Sequence, residues 1–360
     1  MSLDDFKNIL SEHFTKYPKM QIQDMVKLIY QNEFGGGHFI SDEKEGLQRL
    51  LAELSYTDQK SFLLHHTDLF TEIGNGLCRI DIIKGNSMGL ESSTMNQFFV
   101  NTANDFKGSI EEFEAKLDML RDCCRDGFLP YTEKELEVHL NDYKQKGYPA
   151  VSHSEIYRIN YQPAYRIVKE EYAKYYLVFA AIDEFMRSES EQFTIAVDGN
   201  SGAGKSALAN LLESVYDCNV FHMDDFFLTP EMRTEERLNE AGGNVDYLRF
   251  YDEVIKGLET GKEFSYRRFD CQLLEYIPAV PVKPKRLNIV EGSYSMHPKL
   301  IDHFDFKIFL QLNEAKQNRR ILARNGQEMY ERFINEWIPM EEKYFKELKI
   351  KEKCDLIIAS

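Results

Sequence analysis

Eight consecutive residues, Gly199-Asn200-Ser201-Gly202-Ala203-Gly204-Lys205-Ser206, have the spacing G-x-x-x-x-G-K-S. Glycines at these positions let backbone N–H groups converge on an anion, and a helix beginning at the same place adds its positive end. In that arrangement Lys205 reaches the β- and γ-phosphates of a nucleoside triphosphate, and the Ser206 hydroxyl is a ligand for Mg²⁺. ATP and Mg²⁺ are the expected cofactors. The bare pattern arises by chance in roughly one in a hundred chains of this length, so the flanking elements matter. Phe193, Thr194, Ile195 and Val197 make a short β-branched run before the loop; Ala207, Leu208, Ala209, Leu211 and Leu212 follow it with helical spacing. Strand, glycine-rich turn and helix are the context that phosphate binding requires.

Two acids stand where such a site needs them. Asn219-Val220-Phe221-His222 reads as a second strand, which delivers Met223-Asp224-Asp225-Phe226-Phe227 to its C-terminal end. Open α/β sheets bind ligands at that end. Asp224 there can serve as a general base or help to order Mg²⁺; a helix N-cap is the plain alternative, and Asp225 fits that role. Leu287-Asn288-Ile289-Val290-Glu291 reads as a third strand ending in an acid that can hold the metal or its water. Phe304 to Leu312 and Asp355 to Ala359 supply a fourth and a fifth strand. Alternation with helices implies a doubly wound parallel sheet of about five strands. Between the last two lie Arg319, Arg320 and Arg324, which on a lid would stabilise charge on a transferred phosphoryl group. Their plain alternative is a solvated helix face paired with Glu328 and Glu331.

Positive charge has to be gathered locally in this chain. Its 360 residues carry 60 Asp+Glu against 44 Lys+Arg, a net charge of −16, which argues against nucleic acid or an anionic membrane as the main partner. The partner expected is a small-molecule acceptor; association into a homo-oligomer is compatible with the sequence. Six cysteines with neither C-x-x-C nor zinc spacing read as reduced thiols, and the longest apolar-rich stretch, Tyr175 to Ile182, is too short to span a bilayer. A cytoplasmic location is the default expectation.

Residues 1–187 read as a mainly α-helical domain of unassigned role, 188–192 as a polar linker and 193–360 as the phosphate-binding domain. Asp4 to Phe14, Gln21 to Glu33, Glu43 to Leu54 and Ser109 to Arg125 have helical apolar spacing, Cys78 to Ile83 looks like a short strand, and Tyr165 to Met186 reads as one long helix. Two stretches could bind something. Gly35-Gly36-Gly37-His38 could let backbone approach a ligand, or be a turn. His153 to Arg166 concentrates His153, Tyr157, Arg158, Tyr161, Tyr165 and Arg166, which suit an anion or peptide site or, more plainly, packing.

Taken in order, GNSGAGKS, MDDFF, IVEGSYSMHP, RRILARN and RFINEWIPMEEKYF followed by CDLIIA resemble the uridine kinase and phosphoribulokinase family of P-loop kinases over residues 191–360. The resemblance implies an α/β P-loop kinase domain and phosphorylation of a metabolite hydroxyl by Mg²⁺-ATP. It implies Asp224 as the base, Glu291 as the metal-associated acid, Ser206 as the Mg²⁺ ligand, and Arg319, Arg320 and Arg324 as lid arginines. Asn244 and Asp246 fall where nucleoside kinases of the family touch ribose. Arg267, Arg268 and Phe269 fall near the acceptor element, but phenylalanine replaces its tyrosine and the base-contacting histidine is missing. A nucleoside such as uridine is the first acceptor implied. Another sugar, a sugar phosphate or a pantothenate-like alcohol is the alternative, and a nucleotide-controlled regulatory protein the rival class.

Overall fold

The structure is a computed structural model that describes residues 3–36, 42–56 and 68–360; Gly37 and His38 of the glycine-rich stretch lie outside the described residues. Contacts divide the chain into two compact units, the first ending at Arg187 and the second running from Ser188 to Ser360.

The second unit is built on five parallel strands: β4 (Phe193–Gly199), β5 (Cys218–His222), β6 (Leu287–Glu291), β7 (Phe306–Gln311) and β8 (Leu356–Ala359), in the order β8-β7-β4-β6-β5. Every residue of β4 and β6 is buried, as strands covered on both faces must be. In-register pairing of Glu291 with Val197 and with His222 brings the C-terminal ends of β4, β5 and β6 level. Helix α2 (Lys205–Glu213) packs against these three strands through buried Leu208, Leu211 and Leu212. One face of the sheet is covered by an aromatic core in which Phe221, Phe226, Phe250, Phe309, Tyr344 and Phe345 are buried. Helices α3 (Glu314–Arg332) and α4 (Ile338–Glu347) follow β7, with α3 broken at Gly326, where φ is +75°. The α/β P-loop fold expected for this half is the fold present.

The first unit is mainly helical, as its spacing implies: Leu3–Lys16, α1 (Ile22–Phe34), Glu43–Tyr56 and Ile110–Arg125 are helices. The long helix expected over Tyr165 to Met186 is not formed as such. Tyr165–Lys169 is strand β3, a short helix spans Glu170–Lys174, and only Tyr176–Arg187 is the continuous helix. The cause is pairing. Strand β2 (Leu77–Asp81) is hydrogen-bonded on one side to β1 (Phe70–Gly74) and on the other to β3. A β-branched pair at Ile167 and Val168 suits burial in that ladder better than a helix face. Among the described residues, no helix is long and apolar enough to cross a membrane.

Candidate active site

The loop after β4 depends on glycine geometry. Gly199, Gly202 and Gly204 have φ of +141°, +77° and +98°, and Gly204 caps α2. A Cβ on Gly199 would stand 2.2 Å from the Leu310 carbonyl oxygen of the neighbouring strand. Gly199→Ala is therefore expected to destabilise the second unit by about 3 kcal/mol or more, since neither backbone can give way cheaply. Thermal unfolding checks this; a change under about 1 kcal/mol would mean the strand end is not held as described.

Lys205 is folded onto its own loop. Its Nζ donates to the carbonyl oxygens of Gly199 (2.7 Å) and Asn200 (3.2 Å) and to Ser293 Oγ (3.1 Å). Asn200 is buried and ties the loop to β7 by accepting from the Leu312 N–H at 3.0 Å. Ala203 is buried, whereas Ser201, Gly202, Ser206 and Ala207 retain access to solvent. Ser201 donates its N–H (3.0 Å) and its hydroxyl (2.6 Å) to Glu341 on α4, and Ser293 donates its hydroxyl to the same carboxylate at 2.5 Å. A buried glutamate thus occupies donors of the glycine-rich loop.

The acids converge beside it. Ser206 Oγ donates to Glu291 Oε1 at 3.0 Å, and His222 Nδ1 stands 2.6 Å from the same oxygen. The hydrogen bond to Glu291 raises the His222 pKa above its ordinary value, against an opposing loss of hydration. Asp224 and Asp225 lie in the single 3₁₀ turn Met223–Phe226 that leaves β5, and neither caps it. Asp224 is exposed at the surface, and partial desolvation followed by the Glu291 charge raises its carboxyl above the ordinary carboxylate range. Desolvation likewise raises Asp225, whose Oδ2 accepts from Tyr266 at 3.4 Å. Beneath the loop, Asp198 is fully buried and pushed up to about 6 by desolvation, although Lys205 and three hydrogen bonds oppose the shift. It accepts from the N–H of Gly199 (2.7 Å) and Met296 (3.2 Å) and from the Tyr344 hydroxyl (2.8 Å).

The three arginines do not act as one group. Arg320 donates to the Gly202 carbonyl and to Ser360 Oγ, both at 3.2 Å, so its guanidinium lies on the loop. Arg319 is exposed, and Arg324 turns to Asn325 at 2.8 Å on the turn of α3 just before Gly326. Of the acceptor candidates, Asp246 is a helix cap that accepts from the Arg249 N–H at 3.0 Å, Asn244 hydrogen-bonds Tyr294, and Phe269 is buried against Tyr276. Arg267 is paired with Glu253 at 2.5 Å. Arg268 is exposed and its charge is felt at Asp225.

This arrangement offers a cradle of backbone donors, one lysine, and a hydroxyl–carboxylate pair with a second carboxylate beside it. Among the described residues no three His, Cys, Asp or Glu side chains are grouped to hold a metal by themselves. The donors at hand, Ser206, Glu291 and Asp224, are hard oxygens that fit Mg²⁺, an ion that keeps waters and takes phosphate oxygens rather than filling a protein cage.

No family model and no curated protein matches the chain. Among solved structures it is similar to a possible uridine kinase from Bacillus stearothermophilus, at 18% identity over 52% of this chain and 99% of that one, with a TM-score of 0.41. A protein assigned as a fructose transport system kinase from a Silicibacter species matches at 23% identity over 48% of this chain and 91% of that one, with a TM-score of 0.38. The YGR205w protein matches at 14% identity over 52% and 92%, with a TM-score of 0.37.

Proposed function

We propose that the second unit is a Mg²⁺- and ATP-dependent phosphotransferase of the uridine kinase-like type, acting on a hydroxyl of a small metabolite. The observation that carries this reading is the meeting of Lys205, Ser206–Glu291 and Asp224 at the level C-terminal ends of β4, β5 and β6. A nucleotide switch needs the loop and its metal acid; a second carboxylate with a raised pKa beside them is what a hydroxyl acceptor requires.

In this reading the loop N–H groups and Lys205 bind and orient the triphosphate. Ser206 and Glu291 would hold Mg²⁺, which when bound offsets charge on the phosphate oxygens. Asp224 accepts a hydrogen bond from the acceptor hydroxyl and takes its proton as the oxygen attacks the γ-phosphorus; the bond from that phosphorus to the β,γ-bridging oxygen breaks and ADP leaves. Arg320 is the arginine best placed to face the transferred group, and the break at Gly326 is where α3 can bend as the site closes. A nucleoside is the first acceptor proposed. Another sugar, a sugar phosphate or a pantothenate-like alcohol forms the second arm of the same assay, and exposed Arg268 would suit an acceptor that already carries phosphate.

Two results are expected. A base must be deprotonated to work, so the acid limb of kcat/KM should fall at a pH above that of an ordinary carboxylate, because the Asp224 pKa is raised. Activity is then retained above that limb and lost as pH falls through it. A limb near pH 4 would contradict the role. Glu341 presents negative charge to donors that a triphosphate needs. Glu341→Gln should therefore tighten Mg²⁺-ATP binding about tenfold, measured by calorimetry; equal or weaker binding would show that the carboxylate does not compete.

A further inference from the structure

The first unit buries an arginine, Arg79, that no part of the phosphotransfer reading uses. Arg79 is in the central strand β2, paired across to Thr71 on β1 and Ile167 on β3. It is only 4% exposed. A buried guanidinium is costly unless an anion neutralises it. Among the described residues, none does.

Its hydrogen-bond partner is the neutral side chain of Gln31 on α1. The Gln31 Oε1 accepts from Arg79 Nε at 3.1 Å and from Nη2 at 2.6 Å, while the Tyr165 ring stacks 4.5 Å from the guanidinium carbon. Those two bonds use two of the five N–H groups of the fork. The carboxylates nearby are engaged elsewhere. Asp24 accepts from Ser154 and from His153 Nδ1, Asp68 is paired with Lys16 at 2.9 Å, and Asp81 caps the helix that follows it through Ile83 and Lys84.

The positive charge of Arg79 is felt at His13, His153 and Lys27. Burial first, with the Arg79 charge acting in the same direction, lowers His13 to about 3, His153 to about 4 and Lys27 to about 8. His153 therefore stays neutral near pH 7, a link between Asp24 and the Tyr165 hydroxyl, which it meets at 2.6 Å. Among the described residues, no carboxylate is paired with the Arg79 guanidinium.

Arg79 also lines a cavity of about 30 Å³, walled by Tyr157, Tyr161 and Tyr165 and bordered by Thr71, Asp68 and Asp81. We infer that this cavity is a binding site for the carboxylate of a small metabolite, held by the N–H groups of Arg79 that Gln31 leaves free. A single-charged carboxylate matches the planar fork. A phosphate dianion would bring a second negative charge against Asp68 and Asp81. The tyrosine-rich segment His153 to Arg166 thereby gains a use for His153, Tyr157, Tyr161 and Tyr165. Arg166, paired with Glu53, and exposed Arg158 take no part.

The site is independent of the nucleotide reading, and its test does not involve ATP. Acetate, glycine and benzoate are titrated separately into the full chain by saturation-transfer NMR, and inorganic phosphate by ³¹P line broadening, both of which read millimolar binding. The same titrations are run on Arg79→Met, Arg79→Lys and Gln31→Glu, with thermal unfolding to show that each variant is folded. At least one carboxylate should bind the wild type saturably and bind Arg79→Met about tenfold to a hundredfold more weakly. Gln31→Glu, which supplies an internal counter-ion, should fold and lose binding comparably; it and Arg79→Lys decide the matter if the Met variant does not fold. Phosphate bound at the loop after β4 is unaffected by these changes. Carboxylate binding that survives Gln31→Glu, absence of any carboxylate binding that depends on Arg79, or Arg79-dependent binding of phosphate alone would each overturn the assignment.

Discussion

Replacing Asp224 by asparagine is expected to lower kcat by about 10² to 10⁴-fold while leaving Mg²⁺-ATP affinity within a few-fold of wild type. Asparagine has nearly the same shape, and the turn Met223–Phe226 places the side chain at the solvent edge, so the backbone has no reason to move. What is lost is a group able to accept a proton. The expected split between kcat and nucleotide binding separates this role from a structural one, because a damaged turn would also disturb neighbouring Phe226 and the core behind it. Turnover that persists in the asparagine variant with nucleotide still bound would remove Asp224 from the chemistry and shift attention to Asp225, which leaves the same turn and also has a raised pKa.

Lys205→Ala should reduce kcat/KM by at least about a hundredfold, the scale seen when one preorganised charge is removed from a transition state. Affinity for the triphosphate should fall as well, since this lysine meets both ground and transition states. In the structure its Nζ is held by Gly199, Asn200 and Ser293. Those contacts keep the ammonium over the loop, ready to exchange backbone carbonyls for phosphate oxygens. Truncation removes three hydrogen bonds but forces no backbone apart, so thermal stability should fall less than in Gly199→Ala. Wild-type turnover in the alanine variant would mean that the loop is a glycine turn without a phosphate.

The parts of the fold that were legible in the sequence are those whose cause is local. Strands β4 and β6 are short apolar runs bounded by glycine, and the loop is bounded by residues whose types have few other uses. Asp224 and Glu291 could be placed because each ends such a run. Strand β3 was hidden for the opposite reason. Tyr165 to Lys169 has apolar residues that also fit a helix, and only the ladder offered by Leu77–Asp81 decides between the two. The β1–β2 hairpin does carry a local mark, Asn75-Gly76, with φ of +59° and +72°, the dipeptide that such turns favour.

Glu341 and Arg79 were illegible for different reasons. Glu341 reaches the loop from 140 residues away, and nothing in Met340-Glu341-Glu342 distinguishes an acid that faces the glycine-rich loop from a solvated one. Arg79 sits in Leu77-Cys78-Arg79-Ile80-Asp81, where a charge within an apolar run hints at burial but says nothing of the missing counter-ion. Asp198 is the intermediate case. A carboxylate inside the first buried strand invites notice, yet its partners Met296 and Tyr344 come together only through the folded sheet.

The most direct test of phosphotransfer is ATP consumption by the 360-residue chain with Mg²⁺, across a panel of nucleosides, other sugars, sugar phosphates and pantothenate-like alcohols, with Lys205→Ala as the blank. Turnover is expected to depend on one acceptor class and to vanish in the blank, with the acceptor hydroxyl recovered as its phosphate ester. Tight ATP binding that no acceptor in the panel converts into turnover would contradict the kinase reading and leave the second unit a nucleotide-controlled switch.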